Sequence, residues 1–134
     1  MKKQSNRKTA IYCRVARKDF NGITAQQARL GNYLRQEGIK DYGVYVDNGF
    51  SGITLERPSL TRLLEAVENG HIEKLVITNV SRLSRSLEYV FELKRRFKAR
   101  GVKLVALEAL GQKESPFMDN LFEIMKGGRV NGNS

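Results

Sequence analysis

The sequence predicts an α/β domain: a mainly parallel central sheet of four to five strands with helices on both faces. Two observations carry this. Short runs of β-favouring apolar residues alternate along the chain with apolar stripes at helical spacing. The 134 residues fit one hydrophobic core and leave little room for a second.

Taken in order, Thr9 to Ala16 (TAIYCRVA) reads as a strand buried on both faces, followed by a turn through Lys18, Asp19, Asn21 and Gly22. From Ile23 to Glu37, Ile23, Gln27, Leu30 and Leu34 recur at helical spacing; Asn21 or Gly22 caps the start and Gly38 stops the helix. Val44 to Asp47 (VYVD) is a second strand, and Asn48-Gly49-Phe50-Ser51-Gly52 has the glycines and small polar side chains of a loop.

Pro58 suits the first turn of a second helix, whose stripe is Leu60, Leu63, Leu64 and Val67 and which Asn69-Gly70 closes. Lys74 to Val80 (KLVITNV) is a third strand. Leu87, Val90, Phe91 and Phe97 mark a third helix, and Val102 to Leu107 (VKLVAL) a fourth strand. Ser115 to Met125 opens one more helix, with Ser115 as cap and Pro116 at its first position. The expected organisation is a basic, disordered arm over 1–8, the domain over 9–114, the start of a C-terminal helix over 115–126 and a flexible tail over 127–134. Right-handed crossovers between parallel strands place a ligand site beyond the strands' carboxyl ends.

Composition narrows the function. Apolar residues make up 40% and charged residues 28%, which excludes wholesale disorder. No apolar run is long enough to span a membrane, and the charged N-terminus does not lead into a signal-peptide core, so no membrane partner and a cytoplasmic location are expected. One cysteine, Cys13, and one histidine, His71, form neither an internal disulfide nor the usual zinc ligand sets. Absence of GxxxxGK[ST], GxGxxG and HExxH leaves phosphate-loop, dinucleotide and zinc-hydrolase chemistry without support, so no cofactor is expected. The net charge of +10 points to a polyanionic partner, with DNA the leading candidate, and four cations of the arm account for less than half of it.

Arginines stand at the ends of elements: Arg14 closes the first strand, Arg57 follows the glycine loop, and Arg82 and Arg85 follow the third strand. In a parallel sheet most of these gather at one edge. Guanidiniums converging there repel one another unless an anion lies between them, and their planar forks suit phosphate oxygens. A second basic stretch, Lys94, Arg95, Arg96, Lys98, Arg100 and Lys103, suits either DNA or the negative end of a helix.

Five segments together resemble the serine site-specific recombinases of the resolvase/invertase family. They are Tyr12-Cys13-Arg14-Val15, Gln26, Tyr45 to Gly52, Glu56-Arg57-Pro58 and Ser81 to Ser86, in that order and at matching separations. The resemblance runs over about residues 9 to 125. It implies a resolvase-like three-layer domain in which a serine hydroxyl attacks a DNA phosphate, forming a phosphoserine link and releasing a free 3′ hydroxyl inside a tetramer, without metal or cofactor. It implies that Arg14, Arg57, Arg82 and Arg85 stabilise charge on the phosphate and that Gln26 is a polar helper.

The sequence departs from the family where the nucleophile belongs. Position 16 is Ala16, and a methyl group has no lone pair with which to attack phosphorus. Cys13 lies an odd number of residues away and is expected to face the opposite side, in the core. Ser81 and Ser84 read as helix-capping residues, and Ser81 stands where many relatives carry an aspartate. His71 reads as a surface residue of a turn. The family usually continues into a long dimer-forming helix and a DNA-binding domain, whereas this chain ends soon after Met125, so backbone-dominated, salt-dependent DNA binding is expected.

The sequence reading is therefore a recombinase catalytic domain acting on DNA phosphodiesters but disabled by Ala16. The alternative is a non-catalytic paralogue that pairs with active subunits or occupies DNA. Its expected partners are DNA and a homodimer, a tetramer or a hetero-oligomer with an active recombinase.

Overall fold

A computed structural model of the protein describes residues 7–53 and 56–108. Four strands, β1 (Lys8–Val15), β2 (Tyr42–Asn48), β3 (Ile72–Ile77) and β4 (Lys103–Ala106), form one wholly parallel sheet in the order β2-β1-β3-β4. Helices α1 (Phe20–Gln36), α2 (Pro58–Glu68) and α3 (Leu87–Ala99) make the crossovers. The expected helix over 115–126, the tail and residues 1–6 of the expected arm lie outside the described residues.

The alternation of side chains along β1 sorts the core into two layers. Ile11 and Cys13 pack with Ile23, Leu30 and Leu34 of α1, whereas Ala10 and Tyr12 pack with Leu60 and Leu63 of α2 and Leu93 and Phe97 of α3. The third layer is the sheet itself, and the helices cover both its faces as expected. Among the described residues no helix is long and apolar enough to cross a membrane.

Several boundaries differ from the sequence reading, each for a local reason. Helix α1 starts before Asn21 and Gly22, because Asp19 is its cap: Asp19 Oδ1 accepts from the Gly22 amide at 2.9 Å. Strand β3 ends at Ile77 rather than continuing to Val80. Asn79 Oδ1 accepts from the Ser81 amide at 3.1 Å and turns the chain into a short 3-10 turn, Val80–Arg82. Strand β4 is confined to Lys103–Ala106.

The expected arm also does not extend through residue 8. Lys8 begins β1, and the Arg7 guanidinium donates to the carbonyls of Ile72 and Gly101 at 3.0 and 2.7 Å. Neither Ser81 nor Ser84 caps α3; that cap is Ser86, whose Oγ accepts from the Tyr89 amide at 3.3 Å.

The strand order places a topological switch point between β1 and β3. From β1 the chain crosses first to β2 on one side and then to β3 on the other, which opens a crevice at the carboxyl ends. The loops after β1, β2 and β3 meet there.

Candidate functional site

Arg14 is the last residue but one of β1 and opposes Asp47 across the β1–β2 register. Although it is only 2% exposed, it is fully engaged: Nε donates to the Arg82 carbonyl at 3.0 Å, Nη1 to Phe50 at 2.9 Å and Nη2 to Ser81 at 2.7 Å. Arg57 is 0% exposed, with Nη1 donating to the Arg82 carbonyl at 3.0 Å and Nη2 to the Leu83 carbonyl. Arg82 reaches back to donate from Nη1 to the Arg14 carbonyl at 2.9 Å.

The sheet thus brings the arginines to one edge, as the topology predicts. What lies between Arg14, Arg57 and Arg82 is backbone. Carbonyl oxygens of Phe50, Ser81, Arg82 and Leu83 supply the partial negative charge that the sequence reading assigned to an anion. Burial and the neighbouring Arg57 charge hold the Arg14 guanidinium below its ordinary pKa, yet an arginine stays protonated in a protein. Two guanidinium nitrogens, Nε of Arg57 and Nε of Arg82, are buried without a hydrogen-bond partner among the described residues.

Arg85 is exposed, and its backbone amide donates to the Gly52 carbonyl at 3.1 Å. Gly52 is required at this contact: a Cβ there would stand 2.6 Å from Arg85 Cγ and 2.7 Å from Arg14 Nη2. Gln26, buried on α1, clamps the backbone of Arg14. Its Oε1 accepts from the Arg14 amide at 3.2 Å and its Nε2 donates to the Arg14 carbonyl at 2.9 Å. In this arrangement both ends of the Gln26 amide are spent on holding the end of β1.

Ala16 lies one residue past β1 and is exposed. Cys13 is 0% exposed in the α1 layer, as the alternation predicts, and burial pushes its thiol up to about 12. At neutral pH it is a protonated core residue and not a nucleophile. The Ser81 hydroxyl donates to Asn79 Oδ1, and the buried Ser84 hydroxyl donates to the Gly52 carbonyl at 3.2 Å. Both serines therefore organise the arginine loop. His71 is exposed.

The basic stretch of α3 is not part of this cluster. The α3 C-terminus lies at the opposite, amino edge of the sheet, where Arg7 of the β1 entry bonds the Gly101 carbonyl. Its charges are partly neutralised: Arg95 pairs with Glu92, Arg96 with Glu68 at 3.5 Å, and Arg100 with Glu68 at 2.8 Å. Lys94 is half-buried on the same helix.

Two further groups escaped the sequence reading. Asp47 ties three elements together: Oδ2 accepts from the Tyr12 hydroxyl at 2.6 Å and from the Leu60 amide at 3.0 Å, and Oδ1 accepts from the Ser59 amide at 2.9 Å. It therefore caps α2 from a neighbouring strand. The available signal was Arg57 immediately before Pro58, a helix start with no local capping side chain. Glu108 links α1 to the arginine loop, accepting from Arg29 at 2.8 Å and from Asn79 at 3.0 Å. The Arg29 hydrogen bond holds its carboxyl below the usual range.

The buried hydroxyl and thiol of β1 should weaken the fold at alkaline pH. Burial, and then the bond to Asp47, raise the Tyr12 pKa, and burial raises that of Cys13. Raised acid pKa values mean that the native state holds protons the unfolded chain has released, so stability is complete below the unfolded values and is lost as pH rises. The unfolded values are about 8.5 for cysteine and about 10 for tyrosine. Thermal midpoints should therefore be level from neutrality to about pH 8 and fall progressively above it. Calorimetry across that range checks this, and a level midpoint through pH 11 would contradict it.

Comparison with known proteins agrees with the fold and the motifs. Residues 9–130 match the family described as Resolvase, N terminal domain. Over 120 residues the chain is 31% identical to the protein named "Putative DNA recombinase" of Bacillus subtilis (strain 168), an overlap of 88% of this chain and 23% of that protein. The chain thus spans about a quarter of the length of that relative. Among solved structures, the N-terminal catalytic domain of TP901-1 integrase superposes with a TM-score of 0.75 at 29% identity, over 90% of this chain and 93% of that one. The C-terminal catalytic domain of ISC1926 TnpA, an IS607-like serine recombinase, superposes with a TM-score of 0.67 at 28% identity, over 90% of this chain and 82% of that one. With the three-layer fold around a parallel sheet and the arginine-bearing loops at its switch point, these matches establish that the chain belongs to the resolvase family.

Proposed function

We propose that this chain is a serine-recombinase catalytic domain that engages a DNA phosphodiester at the carboxyl edge of its sheet and does not cleave it. The observation that carries the reading is Ala16, exposed one residue past β1 and two residues after Arg14, whose carbonyl Arg82 holds. A methyl group there provides no attacking oxygen. The neighbouring candidates do not replace it, since Cys13 faces the α1 layer and Ser81 and Ser84 are committed to Asn79 and Gly52. On this reading Arg82 and Arg85, backed by Arg14 and Arg57, present positive charge to the phosphate, and Gln26 positions Arg14.

The engagement of Arg14 and Arg57 by carbonyls favours a second reading beside the first. The edge keeps its shape through internal bonds whether or not chemistry occurs there, which suits a non-catalytic paralogue that assembles with active subunits or occupies DNA. Assembly as a homodimer, a tetramer or a hetero-oligomer with an active recombinase belongs to this proposal.

The test is trapping of a covalent protein–DNA adduct on a nicked suicide substrate, with the chain and its Ala16→Ser variant each joined to a sequence-specific DNA-binding domain. Because position 16 is exposed, the substitution should leave stability almost unchanged. Adduct is expected with Ala16→Ser alone. Adduct from the unaltered chain would refute the inactive reading. Failure of both, on a substrate that an active recombinase with the same DNA-binding domain cleaves, would refute an otherwise intact catalytic edge.

A further inference from the structure

We propose that Lys18 and Arg17, in the loop after β1, join Arg85 in an exposed cationic rim that makes the first contact with the DNA backbone, with Arg14 and Arg57 serving as framework behind it. The inference rests on the DNA reading above and assigns the contact to residues of this chain.

The cations at this edge differ in whether their donors are already engaged. Arg14 and Arg57 are 2% and 0% exposed and already donate to backbone carbonyls, so a phosphate oxygen reaches them only by displacing the loops that they hold. Arg82 is half-buried, with one nitrogen on the Arg14 carbonyl and Nε buried. Arg17, Lys18 and Arg85, by contrast, are exposed and have no ion pair or side-chain hydrogen bond among the described residues. The nearest acidic neighbour in sequence, Asp19, directs Oδ1 to the Gly22 amide as the cap of α1.

Two glycines seat the cationic stems. A Cβ at Gly49 would stand 2.8 Å from Lys18 Cγ, and a Cβ at Gly52 would stand 2.6 Å from Arg85 Cγ. The loop after β2 is therefore a shelf, with the Lys18 stem against one glycine and the Arg85 stem against the other. The shelf is tied to the end of β1, because the amides of Gly49 and Phe50 both donate to the Val15 carbonyl at 3.0 Å. Stems resting against the loop backbone, with hydrated heads, lower the entropy cost of holding charge in place, which favours contact with a fixed array of phosphates. The rim brackets Ala16, from Lys18 on the β2 side to Arg85 on the β3 side. At the opposite edge, Arg95 pairs with Glu92, and Arg96 and Arg100 pair with Glu68.

The test is fluorescence anisotropy of a labelled duplex of arbitrary sequence, titrated with the full chain over a salt series. The double variant Arg17→Gln/Lys18→Gln is compared with a charge-matched control, Arg35→Gln/Lys40→Gln, altered at exposed positions near the opposite edge. Each phosphate contact removed should flatten the salt slope by about 0.9, so the double variant should lose about 2 from the slope and roughly tenfold or more in affinity near 0.1 M salt. Its thermal midpoint should match that of the unaltered chain, since both side chains are exposed. Unaltered affinity in the double variant, with the parent chain still binding, would overturn the rim and leave the DNA reading standing. An equal loss in the control would reduce the effect to net charge and overturn it too. No binding by the parent chain at low salt would overturn the DNA reading and this inference with it.

Discussion

Arg14→Met is expected to destabilise the domain by about 4 kcal/mol, because three charge-assisted hydrogen bonds to buried or half-buried carbonyls vanish together. Methionine restores part of the packing volume but offers no donor to the carbonyls of Phe50, Ser81 and Arg82. For a domain of this size such a loss lowers the thermal midpoint by roughly 20 °C. Arg85→Met is the informative comparison: its side chain is exposed, and its midpoint should stay close to that of the parent. A pair of thermal melts separates the two roles. Equal, small shifts would mean that the carbonyl cage around Arg14 contributes little and that the guanidinium is available to a ligand after all.

The second large effect is expected at Asp47. Asp47→Ala removes the only side-chain cap that α2 has among the described residues and strands the Tyr12 hydroxyl and the amides of Ser59 and Leu60. Loss of a cap and of a charge-assisted bond to a buried hydroxyl should cost about 3 kcal/mol. Asp47→Asn keeps one acceptor oxygen and should recover part of that loss. Urea denaturation of the two variants checks the order. If alanine and asparagine were equally mild, the helix would be shown to take its cap from elsewhere. The same substitution should loosen Arg57, the residue immediately before α2, because the Tyr12 hydroxyl that Asp47 holds accepts from Arg57 Nη1 at 3.4 Å.

These expectations show how unevenly the molecule could be read from its residues. The strand and helix order, the opposite facing of Cys13 and Tyr12, and the gathering of Arg14, Arg82 and Arg85 at one edge follow from period and spacing, which act over a few residues. The serine roles did not follow. Ser81 and Ser84 look like caps in sequence, yet Asn79 and Ser86 take those positions, because capping depends on which side chain meets a free amide after the chain has turned. Asp47 was visible as the end of VYVD, but its helix partner begins eleven residues later and meets it only once the chain has folded back from β2 into α2. Arg7 and Lys8 looked like an arm because their neighbours are charged. The carbonyls of Ile72 and Gly101 that hold Arg7 come from distant strands and turns.

The α/β layering, the positions of the arginines and the absence of a hydroxyl at residue 16 were legible in the residues alone. Those properties reside in local periodicity and in the identity of single side chains. How the arginine charges are used became visible only in the folded loops. Neutralisation of a buried guanidinium depends on which acceptors the folded loops deliver to it, and here they deliver the carbonyls of Phe50, Ser81, Arg82 and Leu83. A linear pattern of cations cannot distinguish a cage of backbone dipoles from a pocket for phosphate, because both satisfy the same electrostatic demand.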